Sequence, residues 1–152
     1  MRDMVESELG KKEEFGRMLK RDLFLFLLNL EVKRARRYQN FLCILILKLV
    51  RGPDSSNGEA LKACHKLLAG LLMDETRETD ILCELAEDRF VAILPYADFS
   101  AGIQVKSRFE TFLKDYDLKR NGYEVMIHQL CFPKNGTSTN DLIKKTLEEE
   151  MS

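Results

Sequence analysis

The sequence has few histidines and no apolar run long enough to form a membrane segment. Its 152 residues include only two histidines, His65 and His128, so a histidine-rich metal site is excluded. The most hydrophobic stretch, residues 23–28, is far too short to span a bilayer and is flanked by charged residues. The first residues mix acidic and basic side chains and lack the apolar segment of a signal peptide. We therefore expect a cytosolic protein.

The four cysteines form no CxxC pair and lie within apolar runs; they are Cys43, Cys64, Cys83 and Cys131. This spacing favours reduced core thiols over a disulfide framework or a zinc site. The formal net charge of −1 provides no overall attraction to nucleic acid or to acidic membranes. Any anion site must therefore be a local arrangement of basic side chains. The length and composition are those of one ordinary globular domain.

Residues 11–38 contain no proline and a single glycine, Gly16, which predicts one long helix or two abutting helices. Apolar residues recur there at helical spacing: Phe15, Met18, Leu19, Leu23, Phe26, Leu27 and Leu30. Leu25 and Leu28 broaden this apolar face, so the helix requires burial on more than one side. We expect a homodimer contact through this N-terminal helix.

The remaining chain alternates strand and helix patterns. Strands are predicted over Asn40–Val50, Asp80–Leu85, Phe90–Leu94 and residues 122–133, and helices over residues 59–73, 98–116 and 140–152. Asp98 or Ser100 is placed to cap the second of these helices. Without its flanking helices the order is β-α-β-β-α-β, the ferredoxin-type split βαβ arrangement. We predict an α/β (α+β) fold with an antiparallel central sheet flanked by helices, a helical extension over residues 1–21 and the domain over residues 22–152.

Three segments resemble the GGDEF domains of the diguanylate cyclase family. They are "FLLNLEVKRARRYQNFLCILIL" at 26–47, "RETDILCELAEDRFVAILPYADF" at 77–99 and "FPKNGTSTNDLI" at 132–143. The resemblance extends from about Asp22 to the C-terminus, and it implies the same fold. It also implies a place in bacterial signalling by cyclic di-GMP, which active members make from two GTP molecules, one held by each half of a dimer.

The sequence departs from this family at the metal and nucleotide positions. The family's magnesium-binding aspartate matches Lys48, and an ammonium group would repel a metal cation. The family's triphosphate-binding loop is replaced by a shorter segment, residues 51–58, in which Asp54 and Asn57 are interpreted as turn and helix-cap residues.

The family's signature hairpin is also altered, to Ala86, Glu87, Asp88, Arg89 and Phe90. Glu87 replaces a glycine that lets the backbone approach the nucleotide, and Arg89 replaces a metal-binding carboxylate. Phosphoryl transfer depends on positioned metals and charge neutralisation. We therefore predict a degenerate domain with no catalytic residues, no bound metal and no cyclase activity.

The resemblance implies a second, regulatory site for cyclic di-GMP, and its residues are retained. The RxxD motif ahead of the hairpin is Arg77 and Asp80, and the additional arginine of the next helix matches Arg108. Guanidinium groups bind phosphate or guanine O6 and N7, and a carboxylate accepts hydrogen bonds from the guanine edge. No other cofactor is expected. The alternative interpretation of Arg77 and Asp80 is an ordinary surface salt bridge.

The leading hypothesis is an inactive GGDEF-like domain that acts as a cyclic di-GMP receptor and transmits its state to a protein partner. One alternative is a ligand-free interaction or dimerisation module that uses the N-terminal helix, and another is an active cyclase. The basic run from Lys33 to Arg37 is interpreted as the solvated end of a helix. A nucleic-acid site is disfavoured there because no aromatic platform accompanies the charges.

Overall fold

The computed structural model describes residues 18–52, 58–116, 118, 122–136 and 138–151. Within these ranges the strands are β1 (Met18–Leu19), β2 (Leu42–Arg51), β3 (Ile81–Ala86), β4 (Arg89–Pro95) and β5 (Tyr123–Phe132). The helices are α1 (Arg21–Tyr38), α2 (Gly58–Glu75), α3 (Phe99–Lys114) and α4 (Thr139–Met151). The predicted mixed α and β class is confirmed. None of the described helices is both long enough and apolar enough to cross a membrane.

The strands form one sheet in the order β1-β3-β4-β2-β5. β2 lies between β4 and β5 and is antiparallel to both, β3 is antiparallel to β4, and only the short β1 pairs in parallel. Burial on both faces explains why residues 42–47 of β2 are all apolar, with no polar alternation. The predicted antiparallel central sheet is therefore confirmed.

Helices cover both faces of this sheet. Leu45 and Leu47 of β2 pack with α2 and α3 in one core cluster, whereas Ile44 and Ile46 pack with α1 and α4 in the other. Alternate side chains of a strand point to opposite faces, so a single strand supplies both clusters. The split βαβ unit places α2 and α3 on one face, and the flanking helices close the other.

The N-terminal helix is shorter than the sequence predicts. α1 begins at Arg21, and the preceding residues Met18 and Leu19 form a strand that pairs with Leu82 and Cys83 of β3. The prediction of helix is therefore wrong at these two positions, because an open sheet edge offers backbone partners that local helical patterning does not reveal. Residues 1–17 lie outside the described residues, so the predicted extension over residues 1–21 stays a prediction.

The face of α1 that packs on the sheet also differs from the predicted one. The buried residues are Phe24, Leu28, Val32 and Ala35. The opposite side carries three apolar residues of the predicted stripe, and their side chains remain exposed: Leu23 (49%), Phe26 (58%) and Leu30 (40%). Both sets follow helical spacing, and only the position of the sheet decides which is buried. We call Leu23, Phe26 and Leu30 the outer stripe of α1.

Two cysteines are brought together by the sheet. Cys43 of β2 lies directly opposite Cys131 of β5, and a disulfide joins them with their Cα atoms 4.1 Å apart. The expectation of four reduced thiols is wrong for this pair, whereas Cys64 and Cys83 are buried and form no disulfide. A pairing across 88 residues follows from the strand register and leaves no local spacing signal.

Candidate functional site

The segment between α2 and β3 forms a turn that Arg77 and Asp80 hold together. Asp80 Oδ2 accepts the backbone N–H of Arg77 at 2.8 Å, and the backbone N–H of Asp80 donates to the Arg77 carbonyl oxygen at 3.0 Å. An aspartate that binds nearby backbone in this way fixes the local turn. The predicted pair is thus close in space, with Asp80 half-buried and Arg77 exposed.

Arg108 reaches this turn from α3. Its Nη2 donates to the carbonyl oxygen of Glu75 at the end of α2, at 3.0 Å. A guanidinium group carries several N–H donors in a rigid fork. The bond to Glu75 therefore positions the Arg108 side chain and uses only part of its hydrogen-bonding capacity.

The predicted cap of α3 at Asp98 is confirmed, because its Oδ1 accepts the Ala101 backbone N–H at 2.8 Å.

A cavity of about 140 Å³ brings the three predicted ligand-binding residues together. Arg77 and Asp80 enter it from the turn and Arg108 from α3, and its apolar lining includes Leu94 and Val105. A concave site with an apolar floor and a few convergent polar groups is typical of ligand pockets. The arrangement combines two guanidinium groups with one carboxylate, which suits a ligand that has both a negative charge and a hydrogen-bonding edge.

Tyr96 also lines this cavity, and the sequence analysis did not identify it. It follows Pro95 at the end of β4, its side chain is 67% exposed, and its φ is 65°. The sequence offered one signal, which is a bulky tyrosine in the turn "PYAD". Turn positions with a left-handed backbone favour glycine or asparagine instead. The site therefore has an aromatic component beside its charged ones.

The hairpin of residues 86–90 lies at the other end of β3 and β4. Ala86 pairs with Arg89 across a two-residue turn of Glu87 and Asp88, and Phe90 is buried. Neither turn residue has a positive φ. Because the backbone stays in ordinary conformations, this hairpin does not require glycine at position 86 or 87.

His65 of α2 packs over this hairpin. Its Nδ1 donates to the Glu87 carbonyl oxygen at 2.7 Å, since a carbonyl can only accept, and its Nε2 lies 3.3 Å from Glu84 Oε1. Its ring centroid is 4.7 Å from that of Phe90. His65 therefore has a structural role, because these contacts anchor the hairpin to α2.

Several solved structures share this architecture. The chain is similar to a DGC protein from Thermotoga maritima, with a TM-score of 0.72 and 15% identity over 86% of this chain and 94% of that one. The chain has the GGDEF-domain fold. A GGDEF domain of DgcB from Caulobacter crescentus, in complex with c-di-GMP, matches with a TM-score of 0.67 and 11% identity over 86% of this chain and 80% of that one. An active GGEEF domain of a diguanylate cyclase from Vibrio cholerae matches with a TM-score of 0.68 and 11% identity, over 86% and 87% of the two chains. No protein-family model and no curated protein matches the sequence.

On this GGDEF fold, two basic residues lie side by side. Lys48 of β2 is directly opposite Arg89 of β4, and the Arg89 Nε lies 3.5 Å from Asp88 Oδ1. In the part of the chain that the structure describes, no three histidine, cysteine, aspartate or glutamate side chains are grouped to hold a metal ion. Residues 53–57, with the predicted turn and cap residues Asp54 and Asn57, lie outside that part.

Proposed function

We propose that this GGDEF-fold domain binds cyclic di-GMP through Arg77, Asp80 and Arg108, and that it senses this ligand without making it. The observation that carries the proposal is the shared cavity: a turn before β3 and the middle of α3 bring these three side chains to one apolar recess. Their residue types match the groups of a guanine dinucleotide, which presents phosphates and a donor-bearing base edge.

Local charge supports an anionic ligand. The two arginines and one aspartate carry a formal charge of +1 on a chain whose net charge is −1, so attraction for phosphate is concentrated in the cavity. The backbone N–H of Arg77 holds the Asp80 carboxylate in place before any ligand arrives. A carboxylate positioned in this way accepts hydrogen bonds from a guanine edge at a lower entropic cost.

The size of the cavity suggests how much of the ligand it encloses. At about 140 Å³ it is smaller than the roughly 300–1,000 Å³ of pockets that enclose a drug-sized molecule. We infer that it takes one base with its adjoining phosphate and that the rest of the dinucleotide lies on the surface. The complex of the Caulobacter crescentus DgcB domain with c-di-GMP supports this choice of ligand class, because a neighbour with the same fold binds it.

The basic pair Lys48 and Arg89 supports the absence of cyclase activity. Two cations opposite each other on neighbouring strands disfavour a divalent metal at this end of the sheet. Without such a metal, this place lacks the ion that positions the phosphates for phosphoryl transfer. A receptor function requires neither a catalytic metal nor phosphoryl transfer.

The test is calorimetric titration of cyclic di-GMP into the wild-type protein and the Arg77→Ala variant. We expect micromolar or tighter binding that is lost in the variant, with Arg37→Ala as a control for removal of an exposed arginine elsewhere. Cyclic di-AMP in a parallel titration identifies the base. Equal heats from wild type and Arg77→Ala would refute the proposal and leave Arg77 and Asp80 as a structural turn.

A second candidate function is self-association through the outer stripe of α1. Leu23, Phe26 and Leu30 expose three large apolar side chains at helical spacing, and a contiguous exposed apolar patch commonly marks an interface. The occupant we infer is a second copy of the chain. Light scattering should show a dimer that Phe26→Glu converts to a monomer, while Ile103→Glu, on the exposed side of α3, does not; a monomeric wild type would exclude this candidate.

A further inference from the structure

Tyr96 has a backbone conformation that its side chain disfavours. Its φ of 65° lies in the left-handed region, where a residue with a Cβ is destabilised and a bulky residue is uncommon. Gln39, the other described residue of this kind apart from glycine, ends α1 at a helix C-cap, where this conformation is routine. Tyr96 follows a strand, and glycine or asparagine would form its turn with less strain.

Packing does not account for the tyrosine. Its side chain is 67% exposed, so it contributes little to either core cluster. Strained residues that the core does not require are concentrated at ligand clamps and other functional sites. Tyr96 is such a residue, and it lines the cavity that contains Arg77, Asp80 and Arg108.

We propose that Tyr96 is the stacking platform for a purine base of the ligand, an inference that rests on the proposed function. An exposed aromatic ring at the rim of a small cavity covers a flat base that the recess only partly encloses. Asp80 then binds the base edge, and the guanidinium groups of Arg77 and Arg108 bind phosphate or the opposite base face. The tyrosine supplies apolar contact area that a site built from charges alone lacks.

This division of roles separates affinity from base choice. Every purine has a π face, so stacking on Tyr96 contributes equally whichever base is bound, whereas hydrogen bonds to Asp80 depend on the donors of guanine. Removing the ring should therefore lower the affinity for every purine cyclic dinucleotide that binds, and it should do so by the same factor for each. Changing Asp80 should alter the preference among them.

The experiment compares Tyr96→Asn, Tyr96→Phe and a matched control, Tyr38→Asn, in titrations with cyclic di-GMP. Asparagine tolerates the left-handed backbone but cannot stack, and Tyr38 is similarly exposed at 63%. Loss of a stacked base corresponds to roughly 5- to 150-fold weaker binding. We expect that loss for Tyr96→Asn with an unchanged or higher melting temperature, and near wild-type affinity for Tyr96→Phe and Tyr38→Asn. Because the chain has no tryptophan, quenching of tyrosine emission on binding should also be smaller in Tyr96→Phe than in wild type.

The outcomes distinguish the two proposals. Binding that Arg77→Ala abolishes but Tyr96→Asn leaves intact would overturn the role of Tyr96 and retain the receptor. A loss in Tyr96→Phe equal to that in Tyr96→Asn would also overturn it, since the hydroxyl group and not the ring would be responsible. Absence of binding by the wild type would overturn the receptor proposal and this inference with it.

Discussion

Lys48 and Arg89 lie directly opposite each other on β2 and β4. Side chains at such positions are close neighbours on one face of a sheet, and like charges there repel each other. The adjacent Asp88 carboxylate, 3.5 Å from the Arg89 Nε, offsets part of that repulsion. Two basic side chains and one acidic side chain are therefore grouped at this end of the sheet.

Reversing this charge pattern should create affinity for magnesium. In Lys48→Asp/Arg89→Glu, two carboxylates face each other, and a divalent cation would relieve their repulsion. We expect the melting temperature of the variant to rise with added Mg²⁺ while that of the wild type does not, because a ligand of the native state stabilises it by mass action. The neutral double variant Lys48→Gln/Arg89→Gln is the control, and an equal rise in all three proteins would contradict the prediction.

The wild type should have no cyclase activity. Incubation of the wild type with GTP and Mg²⁺ should yield no cyclic di-GMP that chromatography detects.

Lysine should not replace arginine at position 108. The ammonium group of Arg108→Lys keeps the charge but loses the planar fork that binds phosphate or a purine edge through paired donors. We expect affinity for cyclic di-GMP to fall roughly tenfold or more in both Arg108→Lys and Arg108→Ala, as for loss of a charged hydrogen bond. Lys106→Ala on the same helix is the control for general charge. Full affinity in Arg108→Lys would show that this position acts as a simple point charge.

Replacing glycine with alanine at two helix positions should change the stability of the protein in opposite directions. A Cβ at Gly102 in α3 would lie 2.8 Å from Cys43 Sγ and 2.5 Å from Gln129 Nε2, and the sulfur, held in the disulfide, cannot move away readily. Overpacking of this kind destabilises by about 1–3 kcal/mol, more than the roughly 1 kcal/mol that alanine contributes to a helix. A Cβ at Gly70 in α2 meets nothing within 4 Å.

Denaturant titration should therefore show a lower free energy of unfolding for Gly102→Ala and a higher one for Gly70→Ala. The opposite signs separate packing from helix propensity, because both substitutions make the same chemical change. An increase in stability at Gly102 would mean that α3 can shift on the sheet. Such a shift would move Arg108, so affinity for cyclic di-GMP should be measured in the same variant.

Thiol titration of the denatured, unreduced protein should find two reactive thiols, those of Cys64 and Cys83, and not four. Peptide mapping without reductant should identify a peptide that joins Cys43 to Cys131. Closing a loop of 88 residues stabilises the native state by up to about 4–5 kcal/mol in the chain-entropy account, so reduction should lower the free energy of unfolding. Four reactive thiols would contradict the observed pairing.

Much of the fold follows from local patterns. The aliphatic run of β2, the turn signals beside β3 and β4, and the cap at Asp98 predict these elements close to their observed limits, because burial and capping act over a few residues. The order and spacing of three segments, from residue 26 to residue 143, were enough to indicate the GGDEF fold, which the structural comparisons support.

Other features depend on what is near in space. Whether Phe24 or Phe26 enters the core is decided by the side on which α1 meets the sheet, since both lie on apolar stripes of the same helix. Met18 and Leu19 become a strand because β3 has an open edge. The Cys43–Cys131 bond exists because β2 and β5 pair in one register.

For the candidate site, the sequence by itself determined the residue types: Arg77 and Asp80 in RxxD spacing, and Arg108 by its match to the family. Only the tertiary structure decided that they share one cavity and that Tyr96 lies beside them in a left-handed backbone. Local chemistry is encoded within a few residues of the chain. Convergence of a turn, a helix and a strand end is a property of long-range packing, which no short stretch of sequence contains.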